Sequence, residues 1–447
     1  MSTTLNNSAA KKRPLGTRQV HIPRNGPGLG QLTLVEHALC PLDARAALVK
    51  NLVFNTQFVF TDANRHAQTA EVKVFCPLGL STGDEFFLWG LLALTLAQPE
   101  AEGTLMATPH YVLRQLGLID QHARRGGRQY GQFAAAIERL SVVKYQSDKF
   151  FDPIRREHRR VSFGFLSYSL PLDDQSDRAW RVVWDPVFFE FTKPLGGHLW
   201  FDLATYRELD GASRRLFLFL CKIYARRHTT PSMCVRHLGE NILGFSPSLV
   251  TRDLKAKVAR CVSRLADSRI VEVSPKLFRK QGPGEYSLTL SRGKYFDRRR
   301  GRHPAKQLQD SPLFEPLHAI GLDEGTIRRL LRKYPTRLLQ EWSDITLAAR
   351  ERFGATFFKR SPQAFFIDNV QHAALGDRTP PDWWQALRKA EREPDDRGEI
   401  LDRIREEVRG KVPAGPVASS PNKLGQPQRR KQRRLESIRS LLSVHSS

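Results

Sequence analysis

Two stretches of the sequence combine long basic side chains with amide and hydroxyl side chains at helical spacing. One stretch runs from 124 to 132 and the other from 248 to 260. Arginine pairs bidentately with guanine, and glutamine with adenine, in the major groove of DNA. Serine and threonine hydroxyls add bonds to phosphate oxygens. The predicted contact residues are Arg124, Arg125, Arg128, Gln129, Gln132, Ser248, Thr251, Arg252, Lys255 and Arg260.

A basic segment between two runs with strand character follows each stretch. We predict that the segments at 152–160 and 274–283 form hairpins, which place cations on the DNA backbone beside a helix in the groove. The predicted hairpin contacts are Arg155, Arg156, Arg159, Arg160, Lys276, Arg279 and Lys280.

An ordinary solvated helix face is the alternative interpretation of both helices. In the second helix no acid lies between Asp253 and Asp267, and a face of one sign favours a phosphate-binding surface. Which helix contacts bases and which anchors phosphates stays open at this stage.

The elements that position these residues occur twice in the same order: helix, short strand, helix, turn, helix, strand, hairpin, strand. Hydrophobic periodicity predicts helices at 85–98, 110–116 and 128–140 and strands at 142–151 and 161–170. The second series has helices at 211–227, 236–243 and 249–267 and strands at 270–273 and 286–290. This order predicts an α+β chain with two tandem winged-helix (helix-turn-helix) domains, followed by a small all-helical C-terminal domain.

Local signals define where the first helices begin. Ser81 followed by Asp84 is a capping pair for the first helix. Thr108 followed by Pro109 places an N-cap residue and a first-turn proline at the second helix.

Changes in composition divide the chain into five predicted segments. They are a mobile basic arm with a poorly defined lead-in (1–70), the first winged-helix domain with a connector (71–203), the second winged-helix domain (204–297), the helical C-terminal domain (298–375) and a charged flexible tail (376–447).

The charge balance indicates a polyanionic partner. The chain has 447 residues and a formal net charge of +25, a field that attracts nucleic acid or an anionic membrane surface. Its five cysteines form no C-x-x-C pair, so we expect reduced thiols and no metal site. There is no apolar run of membrane-spanning length and no signal-peptide pattern, which predicts a cytoplasmic protein.

Signatures of catalysis are missing from the sequence. The phosphate-binding pattern that ends in Gly-Lys-Ser/Thr is absent, because Tyr295 follows Gly293-Lys294 and Val412 follows Gly410-Lys411. No His-x-His pair supports a metal-dependent nicking tyrosine. We therefore predict that the chain is not an enzyme and uses no cofactor.

Several stretches resemble the replication initiator protein A family of bacterial plasmids. They are Ser81-Thr82-Gly83-Asp84-Glu85, Trp184-Asp185-Pro186-Val187-Phe188-Phe189-Glu190, Phe201-Asp202-Leu203 and Leu209-Asp210-Gly211-Ala212-Ser213-Arg214-Arg215-Leu216-Phe217. The resemblance covers roughly residues 70–295. Less specifically, the helical part with Pro362-Gln363-Ala364-Phe365-Phe366 and Trp383-Trp384 resembles the C-terminal regions of such proteins.

The resemblance implies a plasmid replication initiator. Such a protein binds repeated sites at the origin as double-stranded DNA, promotes local opening, and recruits a host helicase or host initiator proteins. It also limits copy number, and it can act as a homodimer. No membrane partner is expected.

Three alternatives remain at this stage. A winged-helix transcriptional regulator, including an autorepressor, would use the same helices without a role in replication. A nicking relaxase or a primase would need the missing catalytic groups. A structural protein would use its basic faces for RNA or membrane. Footprinting on tandem repeats near the gene discriminates among them.

Overall fold

The computed structural model describes residues 27–61, 66–98, 101–119, 127–171, 176–194, 196–272, 274–297 and 308–391. These residues form a mixed α+β fold with small antiparallel sheets. The predicted contacts Arg124 and Arg125 lie outside the described residues, as do residues 1–26 of the predicted N-terminal segment and residues 392–447 of the predicted tail.

Four elements precede the first region, which we define as residues 82–184. They are β1 (Pro27–Gln31), α1 (Ala44–Ala47), β2 (Leu52–Thr61) and β3 (Ala67–Cys76). The first region itself contains α2 (Thr82–Leu96), β4 (Thr104–Ala107), α3 (Pro109–Gln115), α4 (Arg128–Ser141), β5 (Lys144–Asp152), β6 (Glu157–Gly164), β7 (Leu166–Ser169) and β8 (Trp180–Trp184).

The helices of the first region begin where the local signals predict. Ser81 and Asp84 form a complete capping box at α2, and the Thr108 hydroxyl accepts a hydrogen bond from the backbone N–H of Tyr111 at α3. Nearly all of α2 is buried, whereas α4 buries one stripe that includes Phe133, Ile137 and Leu140. Helix α2 is therefore the central support, and α4 is a surface helix.

The strands of the first region are divided between two sheets. One sheet has the order β4-β8-β7, in which β8 pairs antiparallel with both β4 and β7. The other has the order β2-β3-β5-β6.

The sequence prediction placed the hairpin of the first series at 152–160, and the structure places that hairpin in the second of these sheets. The reason is that β5 pairs with β3, which joins the β5–β6 hairpin to the sheet of β2 and β3. The rings of Tyr145 and Phe150 both pack against Phe163 of β6 and are buried, and the register shifts between Ser147 and Phe150. Residues 52–54, which had no clear sequence signal, belong to the ten-residue strand β2.

A connector with α5 (Pro186–Thr192), β9 (His198–Asp202) and α6 (Leu203–Glu208) leads to the second region, which we define as residues 211–292. Strand β9 pairs with β1. The second region contains α7 (Gly211–Tyr224), β10 (Met233–Cys234), α8 (Val235–His237), a π-helical turn (Leu238–Ile242), α9 (Thr251–Asp267), β11 (Val271–Glu272), β12 (Phe278–Gly282), β13 (Glu285–Leu288) and β14 (Ser291–Arg292).

The second region repeats the strand order of the first. Its three-stranded sheet has the order β10-β13-β12, which corresponds to β4-β8-β7. The hairpin of this sheet turns at Pro283 and Gly284, whereas β11 pairs separately with β14. In both regions two helices lie in the chain between the first strand of this sheet and the other two: α3 and α4 in the first region, α8 and α9 in the second.

One hydrophobic core runs through the first and second regions. Arg215 of α7 is buried within it and donates to Glu85 Oε1 of α2 at 2.5 Å and to the Leu243 carbonyl at 2.8 Å. Burial alone would lower the pKa of Arg215, but the adjacent Glu85 carboxylate raises it, so the pair stays charged. The shared core and this ion pair hold α4 and α9 in a fixed relation.

The C-terminal helical region (308–391) has a separate core. It contains α10 (Phe314–Ala319), α11 (Glu324–Lys333), α12 (Thr336–Phe353), α13 (Pro362–Ala374) and α14 (Asp382–Ala390). Trp342, Ile345 and Phe366 are buried among its own helices, and Trp383 packs edge-on to Phe353. None of these residues belongs to the core that runs from Leu29 to Leu290.

Candidate nucleic-acid interface

Helix α9 presents a basic face to solvent. Leu254, Val258 and Leu265 bury the opposite face in the core. The Arg252 side chain is 93% exposed and touches only the neighbouring carboxylate of Asp253, at 3.4 Å, among the contacts of the described residues. Arg260 is also exposed. A helix with this arrangement can enter a major groove, where guanidinium groups reach guanine edges or phosphates.

Two small residues lie between these arginines on α9: Ala256, which is exposed, and Ala259, which is half-buried. Ser263 follows Arg260 and is exposed, as are Lys257 and Arg264. Small side chains allow a helix backbone to come close to a surface. The helix backbone at Ala256 and Ala259 could therefore come close to the floor of a DNA groove.

Arg236 of α8, which the sequence prediction missed, holds the start of α9. Its guanidinium donates to Glu240 at 2.5 Å, to the Leu249 carbonyl at 3.4 Å and to the Thr251 hydroxyl at 3.4 Å. The α9 N-cap residue makes no side-chain capping bond of its own. Thr251 thus serves partly as an acceptor for Arg236, while the Ser248 hydroxyl is exposed and bonds to the Ser246 hydroxyl at 2.7 Å.

Lys255 joins α9 to the adjacent sheet. Its ammonium lies 3.7 Å from the centre of the Tyr286 ring and 5.2 Å from that of Phe278, and its side chain is half-buried. Lys280 lies opposite Tyr286 in the strand pair, so it shares the sheet face with Lys255. Lys255 therefore supports the hairpin as much as it adds charge.

The other two hairpin cations lie apart from Lys255 and Lys280. Arg279 is opposite Ser287 and so projects from the other face of the β12–β13 pair. Lys276 is exposed in the segment that precedes β12. The structure thus brings Lys255 and Lys280 to one face of the β12–β13 pair and places Arg279 on the other face.

Helix α4 offers less charge than α9. Arg128, Gln129 and Gln132 are exposed at its beginning, as predicted for a helix face. Arg139, on the same outward side, instead donates to Asp84 of α2 at 2.6 and 2.9 Å, which raises the pKa of Arg139. Arg139 therefore braces the helix against α2.

The β5–β6 hairpin carries its four arginines around a buried carboxylate. Asp152 Oδ1 accepts hydrogen bonds from the backbone N–H groups of Ile154 and Arg155, and its Oδ2 lies 3.2 Å from Arg155 and 3.4 Å from Arg159. Burial would raise the pKa of Asp152, but these donors outweigh it and lower the pKa. The turn is thus held rigid, and all four predicted arginines are exposed: Arg155, Arg156, Arg159 and Arg160.

Residues 176–178, which precede β8, bind the C-terminal helical region. The Ser176 hydroxyl donates to Glu351 of α12 at 2.8 Å, and Arg350 donates to Asp177 at 3.0 Å. Arg178 is completely buried and donates to both carboxylate oxygens of Glu391, at 2.7 and 3.1 Å.

We call Arg178, Asp344 and Glu391 the Arg178 cluster. Asp344 of α12 lies 4.0 Å from Arg178, and the guanidinium also stacks 5.0 Å from the centre of the Trp384 ring. Burial raises the pKa of Asp344 from 3.8 to about 6, against the lowering effect of Arg178. Burial alone would lower the pKa of Arg178, but the two carboxylates raise it.

The C-terminal helical region also binds α3. Tyr111 donates to the Asp310 carbonyl at 2.9 Å, and Arg114 donates to the Gln309 carbonyl at 2.6 Å. Thr108 forms a short hydrogen bond with Glu315 of α10. A cavity of about 400 Å³ lies between α3, Asp177 and α10. The sequence gives no signal for these contacts, because their partners are about 200 residues apart.

The described part of the chain contains no group of three or more histidine, cysteine or acidic residues placed to hold a metal ion. Within it, no helix combines the length and the apolar character needed to cross a bilayer.

Comparisons with known proteins give one structural match. No known protein family matches the sequence, and no curated protein does so. A crystal structure of domains 2 and 3 of RctB matches with a TM-score of 0.39 and 15% identity, over 58% of this chain and 96% of that one.

Proposed function

We propose that this chain binds specific sites on duplex DNA through two winged helices and initiates replication at a plasmid origin. The observation that carries the DNA-binding part is the outward face of α9. Arg252 and Arg260 flank small residues there, while the opposite face is fixed in the core. The strand orders β4-β8-β7 and β10-β13-β12 support a winged helix in each region, because in both cases two helices lie in the chain between the first strand and the other two.

The initiator role rests on the sequence resemblance of residues 70–295. In this proposal the chain binds repeated origin sites, helps to open the adjacent duplex, and relies on a host helicase because it has no catalytic activity of its own. It works in the cytoplasm, where the plasmid is. Contacts made only on deformed DNA would supply the free energy for bending or opening.

The sequence prediction expected Arg252 and Lys255 to be equivalent contacts, and the structure separates them. Lys255 is engaged with Tyr286 and Phe278, so Arg252 and Arg260 are the better pair to change. We expect Arg252→Ala with Arg260→Ala to reduce specific affinity by about 10- to 100-fold for each arginine, since a bidentate base contact is worth about 1–3 kcal/mol.

The test selects duplexes from random sequence with the intact protein and then measures the affinity of each variant for the selected duplex. The matched control is Arg328→Ala with Arg332→Ala, which removes two exposed charges from α11. Equal loss in both variants would mean that only net charge matters, and the proposed interface would then be wrong.

Replication is tested separately from binding. A plasmid that carries the selected repeats should persist only in cells supplied with the intact chain, and the α9 variant should fail to maintain it. Specific binding without plasmid maintenance would instead identify a transcriptional regulator.

A further inference from the structure

One apolar side chain at the start of α9 lies in solvent. Val250 is 60% exposed, and among the described residues of the second region it is the only large apolar side chain that is exposed. Its neighbour Leu249 packs partly against the shared core, whereas Val250 is not part of that core. Burial of apolar surface therefore does not account for a valine at this position.

Helix capping does not account for this valine either. Val250 is the N-cap residue of α9, and its side chain makes no capping hydrogen bond. Valine is among the residues least suited to an N-cap, because it offers no acceptor to the first N–H groups of the helix. Other helices of the chain have such acceptors, at Ser81, Asp210, Asp323 and Ser361. The stability of α9 thus does not require valine here.

The surrounding hydrogen bonds hold Val250 in a defined position. Arg236 donates to the Leu249 carbonyl and to the Thr251 hydroxyl, both at 3.4 Å, on either side of Val250 in the chain. The Val250 carbonyl accepts hydrogen bonds from the first turn of α9 at 3.0 Å. The valine side chain itself has one restricted torsion, so it loses little freedom when it contacts another molecule.

The position of Val250 favours a DNA base as that molecule. Arg252 follows it on the face proposed to enter the major groove, and the N-terminal residues of a recognition helix are those that reach base edges. The apolar group displayed in that groove is the C5 methyl of thymine. We infer that Val250 packs on a thymine methyl and determines specificity at one base pair of the site. This inference rests on the proposed function.

The valine contact differs in kind from the arginine contacts. Packing of Val250 on a methyl group involves no charge, so its share of the affinity does not change with salt concentration. A phosphate contact of Arg252 would weaken as salt rises. Burial of one methyl group is worth about 3- to 10-fold in affinity.

The experiment is a double-mutant cycle between protein and DNA. Each thymine of the selected duplex is replaced in turn by deoxyuridine, which removes only the methyl group, and affinity is measured for the wild type and for Val250→Ser. We expect one deoxyuridine to weaken wild-type binding by about 3- to 10-fold and to leave the affinity of Val250→Ser unchanged. On the unmodified duplex, Val250→Ser should bind more weakly than the wild type by the same factor at low and at high salt.

The serine variant also separates binding from folding. Serine supplies the N-cap acceptor that valine lacks, so Val250→Ser should unfold at the same or a higher temperature while its specific affinity falls. Val250→Ala, which adds no hydroxyl, should show the same loss of affinity. The matched control is Val187→Ser in α5, a valine that is 41% exposed, and it should respond to each deoxyuridine as the wild type does.

The inference would be wrong if no deoxyuridine weakened wild-type binding, or if each one weakened Val250→Ser as much as the wild type. Undiminished binding of Val250→Ser to the unmodified duplex would also overturn it. Failure of the proposed α9 interface is distinguishable, because Arg252→Ala with Arg260→Ala tests it on the unmodified duplex. A loss of affinity in that variant without coupling between Val250 and a thymine would leave the interface standing and remove the thymine contact alone.

Discussion

The first and second regions share an order of elements but differ in what lies beside the candidate recognition helix. In the second region, Lys255 of α9 packs over Tyr286, and the β12–β13 hairpin is open to solvent. In the first, Arg178 lies just before β8, and Glu391 and Trp384 enclose it. The comparison teaches that a repeated architecture need not have repeated surroundings, since one sheet has an exposed hairpin while its counterpart contacts another part of the chain.

The largest expected effect concerns what the two regions have in common. Arg215→Ala leaves Glu85 buried without its partner, and loss of one member of a buried pair costs about 3–5 kcal/mol. Because both regions share the core, we expect a single unfolding transition whose midpoint lies at a lower urea concentration than in the wild type. Urea unfolding followed by fluorescence checks this, with the exposed Arg226→Ala as the control. Two separate transitions in the Arg215 variant would show that the regions fold independently.

A second prediction concerns the raised pKa of Asp344 in the C-terminal helical region. The pKa of Asp344 is raised from 3.8 in the unfolded chain to about 6 in the folded one, so the folded state binds a proton more tightly between these values. Its contribution to stability is therefore present below about pH 4 and is lost as pH rises through 6, a change of roughly 3 kcal/mol.

Asp344→Asn should remove this dependence. We expect the variant to match the wild type near pH 4 and to be more stable above pH 6, as measured by thermal unfolding of the C-terminal helical region. A wild type and variant with parallel profiles would show that Asp344 does not titrate in this range.

A third prediction separates Lys255 from Arg252. Lys255→Met should lower the free energy of unfolding by about 1 kcal/mol, because it removes a cation over Tyr286 while keeping the length of the side chain. It should leave the salt dependence of DNA binding nearly unchanged. Arg252→Met should leave the free energy of unfolding nearly unchanged and weaken the salt dependence of DNA binding. Where Arg252 contacts a phosphate, the magnitude of the slope of log affinity against log salt should fall by about one. Equal slopes in the two variants would contradict this division of roles.

The smallest effect is expected at Gly131 on the outward side of α4. A Cβ at this position would meet no other atom, so Gly131→Ala should stabilise the helix by about 0.5–1 kcal/mol. If α4 does not approach DNA closely in the wild type, the affinity of the variant for the selected duplex should equal that of the wild type. A weaker complex would indicate close approach of DNA to α4 in the intact protein.

The helices could be predicted because their signals are local. Ser81 with Asp84 and Thr108 with Pro109 define the starts of two helices, and the stripe of Leu254, Val258 and Leu265 defines the buried face of α9. Exposure of Arg128 and Arg252 follows directly from those stripes.

The hairpin of the first region could not be predicted in the same way. The sequence predicts strands at 142–151 and 161–170, but the choice of partner depends on β2 and β3, which are far away along the chain. Contacts such as Arg178 with Glu391 join residues 213 positions apart, and no local pattern marks them. Sequence periodicity identifies which face of an element is buried, but not what covers it.

The common core of the first and second regions has a consequence for the DNA itself. The Arg215–Glu85 pair and the surrounding apolar side chains fix α4 relative to α9. If both helices bind one duplex, as proposed, they can therefore do so only in one rotational phase. Two half-sites that suit both helices must then recur at a fixed helical period. Inserting about 5 base pairs between them would turn one to the opposite side of the duplex, whereas about 10 would restore its orientation at a greater distance.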